Sequence, residues 1–161
     1  MNIVHAMNLT RCLTPLIIAL ALGLTTGCGK KDSHGGGGGG HAHVAPHGGL
    51  LVEVGDHAYN VELVRDADAG KLTAYVLDGH AENFVRLALP SFDLVAITGG
   101  EKKSLTLRAV ANAATGETVG NTSQFEAQAD WLKKSGDFPG TITALEIKGT
   151  TFRDIAFYLK K

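Results

Sequence analysis

The feature that most restricts the fold is a strict alternation of apolar and polar residues in short runs, which begins near position 50 and continues to the end of the chain. Successive side chains of a β-strand point to opposite faces of a sheet, so this alternation is typical of strands with one buried face. Val61 and Leu63, for example, share one face, and we expect Glu62 between them to face solvent. The pattern predicts an antiparallel β protein.

Turn residues divide this region into nine expected strands and one helical turn. The strands are predicted over 50–54, 58–65, 71–78, 84–89, 92–98, 104–111, 122–127, 141–148 and 152–159, and the helical turn over Asp130 to Ser135. Ser123 and Glu126 also have the spacing of a helix capping box, but a strand fits the surrounding strands better. We therefore expect an all-β fold, an immunoglobulin-like two-sheet β-sandwich, with a small closed β-barrel as the alternative.

The N-terminal segment has the composition of an export signal. Arg11 is its positive charge, no acidic residue precedes Asp32, and an apolar run extends over 12–24. The run suits a signal peptide and is too short for a permanent membrane span. We expect residues 1–27 to be removed as a signal peptide, with translation starting at Met1 or at Met7.

The sequence Leu24-Thr25-Thr26-Gly27-Cys28 resembles the lipobox of bacterial lipoproteins. The resemblance implies that Cys28 receives a diacylglyceryl group and, after cleavage, an acyl chain such as palmitate on its amino group. It also implies a bacterial envelope protein that faces the periplasm, and the absence of Asp at position 29 favours the outer membrane. The alternative is a plain secretory signal in which Cys28 is an incidental thiol.

Residues 28–45 have the composition of a flexible tether. They contain six consecutive glycines at 35–40 and almost no apolar surface that would offset the entropy of ordering the chain. We therefore divide the chain into a signal peptide (1–27), a tether that starts at the acylated Cys28 (28–45) and a β domain (46–161).

Histidines are the side chains in and next to the tether that could bind a ligand. His34, His41, His43 and His47 lie within fourteen positions, and neutral imidazole is a common ligand of Zn, Cu and Ni. In an extended chain, His41 and His43 project to the same side. We expect these four side chains to capture or buffer a divalent transition metal ion; the alternative is an inert spacer.

A second resemblance begins at the turn Pro46-His47-Gly48-Gly49 and continues through 52–55, 59–64 and 72–78. This pattern resembles a domain of small envelope lipoproteins and the stretch that precedes the core of periplasmic adaptor proteins of heavy-metal efflux systems. The match covers 46–98, and it implies a periplasmic β domain in a metal-handling setting, with His47 near a metal. The chain lacks the length for an adaptor's helical hairpin, and it has no Met or other Cys after Cys28.

Several functional classes receive no support. The formal charge of −1 provides no basic field for nucleic acid, and no catalytic motif is present, so we expect no enzyme. The sequence favours a non-enzymatic lipoprotein that binds metal. The alternative is a structural or protein-interaction module that docks another envelope protein.

Overall fold

The computed structural model describes residues 43–161, so Cys28, His34 and His41 lie outside the described part of the chain. Eight strands and one short helix form in this range. In chain order they are β1 (Leu50–Val54), β2 (Tyr59–Asp66), β3 (Lys71–Asp78), β4 (Ser91–Thr98), β5 (Glu101–Ala109), β6 (Gln124–Gln128), α1 (Asp130–Lys134), β7 (Phe138–Ile147) and β8 (Thr150–Leu159).

All eight strands belong to one antiparallel sheet with the order β1-β2-β3-β6-β5-β4-β7-β8. The two end strands lie against each other, and the ring of Phe152 on β8 covers Gly55, which follows β1. The same ring lies 6.0 Å from the ring of Tyr59. The sheet therefore curls into a nearly closed barrel. The all-β prediction is confirmed, and the architecture is that of the barrel alternative.

The barrel encloses a single apolar core, which is formed by the alternate residues of each strand. Phe125 and Phe138 are completely buried, and Phe125 meets Phe92 edge to face with the ring centroids 5.1 Å apart. Burial of a side chain of this kind stabilises the fold by about 1.5–3 kcal/mol. Among the residues that the structure describes, the buried core residues run from Val52 to Leu159.

The strand predicted over 84–89 is wrong. This segment makes only two isolated bridges, the first between Phe84 and Leu77 and the second between Leu87 and Thr122. Because its backbone passes from one partner to another, it forms no continuous ladder. Val85 and Leu87 are nevertheless buried and Arg86 between them is exposed. The alternation in this segment reflects burial and not strand pairing.

β7 begins at Phe138, three residues before the predicted start. The following Pro139 and Gly140 both pair in register with β8. Gly140 lies opposite Phe157, and a Cβ at this position would overlap the Phe157 ring. The glycine is therefore required by the close approach of an aromatic ring.

The predicted helical turn is confirmed as α1, and Arg65 of β2 holds its C-terminal end. The Arg65 guanidinium donates from Nε to the carbonyl of Leu132 at 3.0 Å and from Nη1 to that of Gly136 at 3.0 Å, and Nη2 donates to the carbonyls of Leu132 and Ser135. These contacts satisfy carbonyls that have no partner within the helix. Within residues 43–161, no helix has the length and apolar character needed to traverse a bilayer.

Candidate functional site

Glu62 is the least expected residue of the structure, because its side chain is 0% exposed although it lies on the outer face of the barrel. The prediction that it faces solvent is wrong. Its Oε1 accepts hydrogen bonds from the backbone N–H groups of His47 (2.7 Å) and Gly49 (2.9 Å). Its Oε2 lies 2.8 Å from Nδ1 of His47. The turn that precedes β1 therefore folds back over β2 and covers the carboxylate.

Two glycines allow the turn to approach this closely. Gly48 has a φ of 72°, a conformation that side chains with a Cβ rarely adopt. A Cβ on Gly49 would lie 2.5 Å from the carbonyl oxygen of Leu63. The sequence His47-Gly48-Gly49 thus places an imidazole and two backbone donors around one buried carboxylate.

The His47 ring also packs into an aromatic cluster. It stacks on Tyr75 with the centroids 3.8 Å apart and an interplanar angle of 13°, and Phe84 lies 5.8 Å from it. Tyr75 is the register partner of Glu62 on the adjacent strand. Burial, followed by the nearby charge of Glu126, raises the pKa of Tyr75, so its phenol stays neutral at physiological pH. We call His47, Glu62, Tyr75 and Phe84 the outer-face cluster.

A pocket of about 370 Å³ adjoins the outer-face cluster. Its lining includes His47, Tyr75, Phe84, Arg86, Asn112, Thr115, Glu117, Ser123 and Gln124. Burial alone would raise the pKa of Glu117, but hydrogen bonds from the Ser123 hydroxyl and N–H and from the Thr115 hydroxyl, together with Arg86, outweigh it and lower that pKa. Because these donors already occupy the Glu117 carboxylate, it stabilises the pocket wall.

A second group of histidines lies at one end of the barrel. The ring centroids of His43 and His80 are 5.8 Å apart, with the planes nearly perpendicular at 88°. His80 belongs to the exposed loop after β3, and His43 is the first described residue of the chain. The C-terminal end of the predicted tether therefore places an imidazole beside an imidazole of the barrel.

The loop that carries His57 meets the loop that carries His80. A Cβ on Gly79 would overlap the backbone carbonyl of His57, so only glycine allows these loops to approach so closely. The His57 ring itself turns toward Glu53, with 3.1 Å between Nδ1 and Oε2. We call the barrel end that carries His43, His57 and His80 the histidine end.

The structure separates the two predicted metal ligands that it describes. His43 contacts His80, whereas His47 contacts Glu62 and Tyr75; His34 and His41 lie outside the described range. Within residues 43–161, no set of three or more His, Cys, Asp or Glu side chains is arranged to hold a metal ion. A complete ligand set for one ion would need the tether histidines.

Sequence reasoning did not find the role of Glu62 or the pairing of His43 with His80. In the sequence, Glu62 has the pattern of any polar residue on the solvent face of a strand, and its partner His47 lies fifteen positions earlier. His80 is 37 positions from His43, and only the fold brings them together. No protein-family model, curated protein or solved structure matches this chain.

Proposed function

We propose that this chain is a non-enzymatic lipoprotein of the bacterial envelope that captures a divalent transition metal ion where its tether meets the barrel. One observation supports the proposal above all others, the approach of His43 to His80. A histidine-rich tether alone has nothing to hold its ligands together. A barrel histidine beside the end of the tether supplies a ligand to which the tether histidines can be added.

The distance between these two rings suits a shared ion. Zn–N bonds are about 2.0–2.1 Å long, so two imidazoles on one tetrahedral ion have ring centroids roughly 5 Å apart. The observed separation of 5.8 Å differs little from that value. His80 is exposed and His43 half-buried, so both rings have room to turn one nitrogen toward an ion.

The remaining ligands of the proposed site come from the tether. His41 lies two positions before His43, so an extended backbone projects both rings to the same side. His34 reaches the ion across the glycine run as a fourth ligand. Imidazoles without thiolate or thioether favour Cu²⁺, Zn²⁺ or Ni²⁺ over Cu⁺.

In this proposal, Cys28 provides the membrane anchor and the glycine run lets the barrel move clear of the lipid surface. Acyl chains stabilise membrane attachment by about 0.8 kcal/mol per buried CH₂, so two or three chains hold the protein firmly. Labelled palmitate should be incorporated by the native chain and not by Cys28→Ser. Equal incorporation by both would refute lipidation at this residue.

Calorimetric titration of residues 29–161 with Cu²⁺, Zn²⁺ and Ni²⁺ at neutral pH tests the metal site. We expect micromolar or tighter binding that weakens at least tenfold in His43→Ala and in His80→Ala, and that is lost when the chain starts at Pro46. His57→Ala is the matched control, because it removes an exposed imidazole from the same barrel end. Unchanged affinity in both ligand variants would refute the site.

A second candidate function, docking of another envelope protein, is favoured by the edge of β5. Only Arg108 and Ala109 of this strand pair with β6, so most of one edge offers backbone groups to an added strand. If the native chain binds none of the three metals, and variants with a Cys on β5 cross-link to an envelope protein, docking replaces metal capture as the proposed function.

A further inference from the structure

We propose that His47 and Glu62 form a latch that holds the tether across the outer face of the barrel and so positions His43 beside His80. The metal-binding part of this inference rests on the proposed function, whereas the latch itself does not. In this role His47 is a positioning residue, and its contacts with Glu62 and Tyr75 determine the direction in which the chain leaves the barrel.

The path of the chain supports this role. β1 starts at Leu50, which pairs with Leu63 near the middle of β2. From there the preceding residues cross Glu62 on β2 and Tyr75 on β3 and reach the loop that carries His80. The chain therefore runs diagonally over two strands toward the histidine end, and the buried Glu62 carboxylate beneath this path binds the turn.

The contacts of the latch are numerous for so short a segment. Both Glu62 oxygens are occupied, Oε1 by two N–H groups and Oε2 by the imidazole. Hydrogen bonds to a charged group are stronger than neutral ones, and a buried carboxylate that loses its donors is strongly destabilised. The His47 ring also stacks on the Tyr75 ring of the adjacent strand, which adds a second contact between the turn and the barrel. Undocking the turn would expose the carboxylate and exchange these charge-assisted hydrogen bonds and the aromatic stack for contacts with water, and the difference favours the docked state.

The latch shortens the free chain that carries the metal ligand. Four Cα–Cα steps separate His47 from His43, and they span at most about 14 Å. If the turn were released, the nearest fixed point would be Leu50, and the seven residues to His43 would span up to about 25 Å. The effective concentration of His43 at His80 would then fall. Scaling with chain length gives a fall of roughly twofold, and the ratio of the volumes that the two chains can reach gives roughly fivefold.

The latch can be tested without metal. A nitroxide attached to Val44→Cys, an exposed position that is 85% accessible, should broaden the amide NMR signals of residues 79–82 in otherwise native 29–161. Glu62→Leu removes the acceptors at similar volume and should weaken the broadening of those signals. Glu62→Gln retains an acceptor for both N–H groups and should keep the broadening. If Glu62→Leu keeps the amide signals of a folded barrel and residues 79–82 are broadened as much as in the native chain, the latch is refuted.

Metal titration then separates a positioning role from direct ligation. His47→Asn keeps a donor near the position of Nδ1 but has no imidazole, so it should retain near-native affinity for Zn²⁺, whereas Glu62→Leu should weaken binding about two- to fivefold. Loss of affinity in His47→Asn with the nitroxide broadening preserved would identify His47 as a ligand and overturn its assignment as a positioning residue. Failure of native 29–161 to bind any metal, with the broadening as expected, would refute the proposed function and leave the latch supported.

Discussion

Replacement of Arg65 should destabilise the barrel more than any other change to a surface charge. Its guanidinium donates to three backbone carbonyls at the end of α1 and in the loop that follows, and its carbon atom Cζ lies 5.9 Å from the centroid of the Phe138 ring. A hydrogen bond from a charged donor contributes about 1.5–3 kcal/mol. Because the released carbonyls regain water, we expect Arg65→Met to lower the free energy of unfolding by about 3 kcal/mol.

Arg65→Lys should cost about half as much, because an ammonium group reaches some of the carbonyls but cannot match the planar geometry of the guanidinium. Urea unfolding followed by the fluorescence of Trp131 reports both variants directly, since this side chain lies in α1. The melting temperature of Arg65→Met should fall by about 10 °C. Arg153→Met, an exposed change on β8, is the control. If the two Met variants unfolded at the same urea concentration, the carbonyl network would contribute nothing to stability.

Three further results are expected. Because the pKa of Glu117 is lowered in the fold, the contribution of this carboxylate to stability is complete above its ordinary pKa near 4.5 and is lost as the pH falls through its pKa in the folded protein. The difference in stability between the native protein and Glu117→Gln should therefore shrink in acid. A difference that stays constant with pH would contradict this. Gly140→Ala should destabilise the barrel by about 1–3 kcal/mol through overlap with Phe157, whereas Gly136→Ala, which meets no neighbour, should be nearly neutral in thermal unfolding. Affinity of residues 29–161 for Zn²⁺ should fall as the pH drops through about 6.5, because protonated imidazole cannot ligate; pH-independent binding would indicate carboxylate ligands.

The strands were predictable wherever alternation coincides with a continuous ladder. β1 and β3 have the predicted bounds, and β2 and β3 pair as a hairpin. Alternation reports only which side chains are buried. It therefore failed at 84–89, where the side chains alternate but the backbone changes partner.

The candidate site was less predictable than the fold, because its contacts join distant parts of the chain. The histidine clusters at 41–47 were evident in the sequence, but the separate environments of His43 and His47 depend on how the turn folds over β2. A buried carboxylate on an outer face has the same local pattern as an exposed one. Only the glycines at 48 and 49 hinted that a backbone approaches closely there.

The divergence of β5 from β6 leaves an edge through which copies of this protein could associate when they are concentrated. Beyond Arg108 and Ala109 the two strands separate around a cleft of about 440 Å³, so a stretch of β5 resembles the unprotected margin of an open sheet. Such margins pair readily with those of identical molecules unless charge prevents it. Glu101, Lys102 and Lys103 begin this stretch. Neutralising the two lysines should therefore promote pairing of two copies of the protein through this margin.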